Sequence, residues 1–240
     1  MKKSAIALFC ISVLSSVSCF AFQGDLDQGI YELNRGAFKA AINEFEPLVA
    51  QEYSPAQYQM AVMYLNGYGV KKDPKKAFEL FSLSASQNYP DALFSLSLMY
   101  SEGEIVEKDL KTAFALMERA AIRNLVGAQF NLGVMYFNGA GTYKDYKKAA
   151  RWYETAAKQN YALAQFNLAL MYFEGLGVEK SIEMSYVWNI ISASNGYGEA
   201  GKSRDMDALK LSNLQISEAR EKADRLYKQF IEQEELKAKQ

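Results

Sequence analysis

Three loops of this 240-residue chain set glycines ahead of a lysine: GYGVKK from Gly67 to Lys72, GAGTYK from Gly139 to Lys144, and GLGVEK from Gly175 to Lys180. Backbone amides in such a loop can cradle a phosphate, but the dinucleotide fingerprint needs a strand ahead of it. Here each loop follows a helical pattern and returns at a fixed interval, which makes it a structural turn. Asp25, Asp27 and Gly29 imitate a calcium loop, yet Gly29 stands where a third ligand would be required. Paired carboxylates are the remaining acid–base chemistry. Glu102 and Glu174 end helical stretches as solvated charges, and no Asp or Glu sits in an apolar run that would shift its pKa. Trp152 and Trp188 share an offset that points to core packing rather than to stacking on a sugar.

Composition narrows the choice further. The chain has no histidine, and its two cysteines are Cys10 and Cys19. Past residue 21 no cysteine remains, so Ser-His-Asp and Cys-His catalysis, disulfides and the usual zinc or copper ligands are all excluded there. No catalytic residue, metal or cofactor is expected. Lys+Arg total 27 against 28 Asp+Glu. Without a basic excess to collect phosphates, nucleic acid is not expected as a partner.

The N-terminus reads as a separate text. Lys2 and Lys3 precede an apolar stretch from Ala5 to Val17 that is diluted only by serines, and Cys19-Phe20-Ala21 supplies small residues where a signal peptidase inspects them. The spacing predicts a secretory signal peptide over 1–21, cleaved between Ala21 and Phe22. Four serines in residues 5–22 argue against a membrane anchor, so no span is expected in the mature chain. Lipidation at Cys19 is the rival, but Ser16 occupies the place where that signal wants a branched apolar residue.

What positions the loops is a repeat. AQYQMAVMYLNGYGV begins at Ala56, ALFSLSLMYSEGEIV at Ala92, AQFNLGVMYFNGAGT at Ala128 and AQFNLALMYFEGLGV at Ala164. Met63-Tyr64, Met99-Tyr100, Met135-Tyr136 and Met171-Tyr172 recur, each followed by a glycine at 67, 103, 139 or 175. Ala77, Ala113, Ala149 and Ser185 keep the same period, as do Ala85, Ala121, Ala157 and Ala193. Each unit predicts two helices joined by a glycine turn, an αα-hairpin. Ser54-Pro55 and Asp73-Pro74 each suggest a capping side chain ahead of a proline at the first helical position.

On a helical wheel, Ala128, Leu132, Met135 and Tyr136 share one face, while Phe130, Val134 and Phe137 form a second stripe opposite. A helix apolar on two faces must be covered twice or offer one face to a ligand. The position five residues past the opening alanine is always small (Ala61, Ser97, Gly133, Ala169), which permits close helix approach. One hairpin cannot bury both faces, so neighbours must stack into an all-α solenoid, an α/α array.

The element AQFNLGVMYFNGAG with the following DYKKAARWYETAAKQNY, Asp145 to Tyr161, resembles the Sel-1-like repeat family, relatives of the tetratricopeptide repeats. The match is strong from Ala56 to about Ala200 and extends more weakly over Gly29 to Ala50. RDMDALKLSNLQISEAREKA, Arg204 to Ala223, is similar to the family's terminal half-unit. Ile105 and Ser181 depart from the pattern, so their loops are expected to be less regular. The resulting organisation is a signal peptide (1–21), an N-terminal helical hairpin (22–55), four repeats (56–91, 92–127, 128–163, 164–199) and C-terminal capping helices with a frayed tail (200–240). In the tail, Ile216, Ala219, Ala223, Leu226 and Phe230 make one apolar stripe suited to covering the last repeat rather than to forming a coiled-coil dimer.

The resemblance implies a right-handed superhelix and an exported scaffold or regulator in a bacterial envelope, periplasmic or secreted. The expected mature protein is a monomer and not an enzyme, holding a protein or peptide on its concave face. Two alternatives stand beside this reading: a cell-wall-active or β-lactam-binding protein, and a secreted host-interaction factor. Some family members are credited with β-lactam binding, but they are cysteine-rich, and this mature chain is not. Tyr58, Phe94, Phe130 and Phe166 recur too regularly to mark specificity. Offsets nine and ten vary among the copies, so binding is expected at Leu65, Asn66, Ser101, Glu102, Phe137, Asn138, Phe173 and Glu174.

Overall fold

The computed structural model describes residues 24–238. The cleavage point expected between Ala21 and Phe22, and Cys19, lie outside those residues. Twelve helices follow one another in the described chain, with no strand among them: α1 (Leu26–Asn34), α2 (Phe38–Ala50), α3 (Ser54–Asn66), α4 (Pro74–Ser86), α5 (Pro90–Glu102), α6 (Leu110–Ile122), α7 (Val126–Asn138), α8 (Tyr146–Ala157), α9 (Ala162–Glu174), α10 (Ile182–Ser194), α11 (Gly198–Ala208) and α12 (Asn213–Ala238). From α1 to α11 each helix packs on the next, hairpin against hairpin, as a right-handed α/α solenoid.

The two helices of a repeat start by different means. Second helices are capped by hydrogen bonds: the side chains of Asp73, Asp109, Asp145 and Ser181 each accept an amide of the first turn. Such caps are worth about 1 kcal/mol apiece. First helices have no side-chain cap, and the residues in front of them are Tyr53, Tyr89, Leu125, Tyr161 and Tyr197. Three of these rings pack on an aromatic of the preceding first helix: Tyr89 on Tyr58 at 5.5 Å, Tyr161 on Phe130 at 5.2 Å and Tyr197 on Phe166 at 5.0 Å. Aromatic pairs contribute about 0.5–1.5 kcal/mol beyond the area they bury, so packing seats these helices.

Ser54 therefore does not cap. It is the first residue of α3, and its carbonyl instead accepts a hydrogen bond from the Ser84 hydroxyl at 2.7 Å. Proline tolerates the second helical position as well as the first, which places the cap one residue earlier than the Ser-Pro pair suggests.

The core runs the length of the array. Ala56, Met60, Ala61 and Met63 of α3 are buried, and so are their counterparts at 92, 96, 97, 99, at 128, 132, 133, 135 and at 164, 168, 169, 171. Gly133 shows why the fifth offset stays small. A Cβ there would come 2.7 Å from the Tyr153 ring of α8. The buried residues just after the opening alanine (Gln57, Gln129 and Gln165) hold the hairpins together by hydrogen bonds. Gln87, Gln159 and Asn195 each donate to the matching glutamine carbonyl, at 3.0, 2.6 and 2.9 Å.

The loops after the first helices are docking elements. Gly141 has φ +72°, and a Cβ on it would fall 1.9 Å from the Leu110 carbonyl at the start of the previous repeat's second helix. Gly177 meets the Tyr146 carbonyl in the same way. Ile105, which replaces the second glycine in the second repeat, lies half-buried against the core without positive φ. That loop is the irregular one. The loop ending at Ser181 keeps the left-handed Gly175 and Gly177 and a hydrogen-bonded cap, so the irregularity expected there does not occur.

At the C-terminal end, α12 packs against α10 rather than folding back on α11. Ala219, Ala223 and Phe230 are buried, Ile216 and Leu226 pack beside them, and Phe230 stacks on Trp188 at 6.0 Å. Arg220 adds a hydrogen bond to the Tyr186 hydroxyl. No described helix is long and apolar enough to cross a membrane.

Candidate binding wall and the last seam

With one face of each first helix in the core and another against its own second helix, a third stripe remains open. It consists of offsets two, three, six, nine and ten from the opening alanine. Offset three supplies Gln59, Ser95, Asn131 and Asn167, all half-buried, and offset six supplies Val62, Leu98, Val134 and Leu170. Leu98 and Leu170 are exposed, at 36% and 44%. Asn131 and Asn167 each donate to the carbonyl four residues back, at 2.8 and 2.7 Å, which holds the amides upright on the stripe. The result is a wall of alternating amide and aliphatic rows, one step per repeat.

The residues singled out by sequence stand at one end of that wall. Asn66, Glu102, Asn138 and Glu174 are exposed at the C-terminal turns of α3, α5, α7 and α9. Asn66 spends its amide donor on the Val62 carbonyl at 2.8 Å. Leu65, Ser101, Phe137 and Phe173 are half-buried. Phe137 packs edge-on to Tyr146 at 5.1 Å. Among the described residues, no aromatic ring pairs with Phe173. Instead two ammonium groups lie over it, Lys210 at 3.9 Å and Lys180 at 5.9 Å. Offset six already belongs to the second apolar stripe of the sequence reading, through Val134, whereas the polar offset three was not singled out there.

Phe173 also borders a cavity of about 190 Å³ between α9, α10 and α11, lined by Phe166, Leu170, Phe173, Ser185, Asn189, Ser203, Met206 and Asp207. Asp207 and Asn189 are each only 2% exposed. Ser185 donates its hydroxyl to Asp207 Oδ2 at 2.7 Å, and Asn189 Nδ2 donates to the same oxygen at 2.8 Å. Burial pushes the Asp207 carboxyl above the usual carboxylate range, against the lowering pull of those two hydrogen bonds and of Lys210. Asp91, half-buried in the first turn of α5, is raised by desolvation too. The expectation that no carboxyl is shifted is thus corrected. Neither residue lies in an apolar run; the burial comes from neighbouring helices.

A signal for Asp207 was present. Met63, Met99, Met135 and Met171 mark one register position, and the next step of 36 falls on Asp207. Likewise Phe81, Met117 and Tyr153 lead to Asn189, and Ala77, Ala113 and Ala149 lead to Ser185. Three apolar core positions become polar together, in one seam. Among the described residues, no group of three His, Cys, Asp or Glu side chains is placed to hold a metal ion.

Comparison with known proteins matches this architecture. The Sel1 repeat family model fits residues 54–89, 90–125, 126–161 and 162–197, a frame that begins at the first helices. The structure of a Sel1 repeat protein from Oxalobacter formigenes is 30% identical, covers 84% of either chain and superposes with a TM-score of 0.72. A protective antigen of uropathogenic Escherichia coli strains, displaying an SLR fold, is 25% identical with a TM-score of 0.52; the similarity spans 87% of this chain and 54% of that one. No curated protein matches the chain.

Proposed function

The chain belongs to the Sel1 repeat family, whose members are generally non-enzymatic protein-interaction scaffolds, and on that premise we propose that it is an exported bacterial scaffold which holds a protein or peptide along the open stripe of its first helices. The observation that carries this reading is the wall itself. Each first helix leaves a polar side chain (Gln59, Ser95, Asn131 or Asn167) and an aliphatic one partly uncovered, in register over four repeats. An extended or helical segment laid across such rows finds donors, acceptors and apolar contact at a constant step. Export rests on Lys2, Lys3 and the apolar stretch, which predict a mature chain starting at Phe22.

Catalysis is not part of the proposal, since the mature chain has no histidine or cysteine to act as base or nucleophile. The test uses Leu98→Glu and Leu170→Glu. Both side chains already meet solvent, so the melting curve should stay close to wild type. A partner recovered from cross-linked envelopes by the wild-type protein should be lost from the pair of variants. Retention of that partner by a folded double variant would move the binding surface elsewhere. Intact mass of the envelope form checks export: a chain beginning at Phe22 supports it, and an acylated Cys19 replaces it with a lipoprotein.

A further inference from the structure

In the third repeat, the Tyr153 ring fills the space beside Phe130, with centroids 5.7 Å apart, and Phe81 does the same beside Tyr58 at 5.6 Å. In the last repeat that register position is Asn189, which is too short to reach across to Phe166. The cavity opens between Asn189 and Phe166. At about 190 Å³ it has room for roughly six waters, taking about 30 Å³ each.

The polar groups around it are unevenly paired. Both hydrogen bonds to Asp207 end on Oδ2. The Asn189 amide is oriented by its donation to that carboxylate, since the opposite flip would set oxygen against oxygen. Its carbonyl oxygen, Oδ1, is buried with no partner. That oxygen is closed to solvent, so the acceptor the cavity offers is the Asp207 carboxylate. A buried carboxylate wants a cation. The walls, Phe166, Leu170 and Met206, are apolar. At the mouth, the Lys210 ammonium rests 3.9 Å from the Phe173 centroid, so an ammonium is already accommodated on that ring.

Resting on the reading of the wall as the binding surface, we propose that this seam is the subsite for a lysine side chain of the partner protein, whose ammonium displaces that of Lys210 from Phe173 and donates to Asp207. The four-carbon stem lies against the apolar walls, and the compact charged head suits a carboxylate set among them. Lys210 is then an internal competitor, which keeps the buried carboxylate from facing empty solvent until the partner arrives.

The probe is N-acetyl-lysine amide, titrated into the isotope-labelled chain 22–240 and followed through the Asn189 side-chain amide signals. N-acetyl-norleucine amide, with an apolar end in place of the ammonium, serves as control. A saturable shift with lysine, at an affinity on the order of millimolar, and none with norleucine supports the subsite. Asp207→Asn keeps an oxygen for Ser185 and Asn189 to donate to, so the fold and its spectrum persist while the lysine response disappears. Lys210→Ala should bind several-fold more tightly. No lysine response at Asn189, an equal response to norleucine, or a response surviving in Asp207→Asn would overturn the proposal and leave the cavity as a hydrated space. Cross-linking through Leu98 reads the wall separately. If it persists when lysine fails, only the subsite is lost; if lysine binds while no partner is captured, the scaffold reading is lost instead.

Discussion

Tyr153 and Asn189 occupy the same register position of successive second helices and are equally sealed from water, at 2% exposure. Their surroundings differ in kind. Around Tyr153 the space is full: its ring meets Phe130, and it closes over Gly133 so tightly that no Cβ would fit there. Burial alone pushes its phenol up to about 12. Around Asn189 a cavity opens, and the polar neighbours Ser185 and Asp207 stand where alanine and methionine stand in every earlier repeat. The contrast teaches that a solenoid can keep its backbone period and still spend one seam on recognition. Because each repeat contacts only its neighbours, the cost stays local.

The contrast is sharpened most by deleting both side chains. Tyr153→Ala should destabilise the array by about 3–5 kcal/mol, while Asn189→Ala, which removes no close-packed ring, should cost well under half of that; paired thermal melts compare them. Equal losses would mean that the two seams are equally packed. Gly133→Leu should follow, at about 1–3 kcal/mol, because Tyr153 has no free volume to yield into. An unchanged melt would place Gly133 in solvent. Restoring the repeat pattern in the last seam, by Ser185→Ala, Asn189→Tyr and Asp207→Met together, should raise stability by about 0.5–2 kcal/mol and abolish the response to N-acetyl-lysine amide.

The smallest effect is one of pH. The Asp207 carboxyl is raised above its ordinary value of 3.8, so over that window the folded chain holds a proton that the unfolded chain has released. Stability linked to this group is present below the ordinary value and declines as pH rises through the folded one. Asp207→Asn should flatten that part of the melting-temperature profile. An identical profile in the variant would show that Asp207 does not titrate there.

The fold was legible because the chain writes its hairpin four times. The Met-Tyr pairs, the small fifth offset and the glycines after each first helix all return at one interval, and the helices stand where that recurrence puts them. The site was less legible for two physical reasons. Variation at offsets nine and ten directed attention to the C-terminal turns, whereas the structure also leaves Leu98, Asn131, Asn167 and Leu170 on the open stripe. Asp207 was passed over because its own helix has little apolar character and its burial is supplied by α9 and α10, which are distant in sequence. Carrying the methionine register one step further would have found it. Ser54 was misread for a simpler reason: Tyr53 stands at the cap position and no side-chain cap is used, so the Ser-Pro pair lies one residue inside the helix.

One measurement bears most directly on the scaffold itself: a photo-cross-linking residue placed singly at Leu98, Val134 and Leu170 on the first helices, and at Leu83 and Ile122, which are 53% and 71% exposed on second helices. Irradiated in cells, the three wall positions should yield one common protein adduct, identified by mass spectrometry, and the two second-helix positions should yield none of it. A common adduct from Leu83 and Ile122, with none from the wall, would contradict the account.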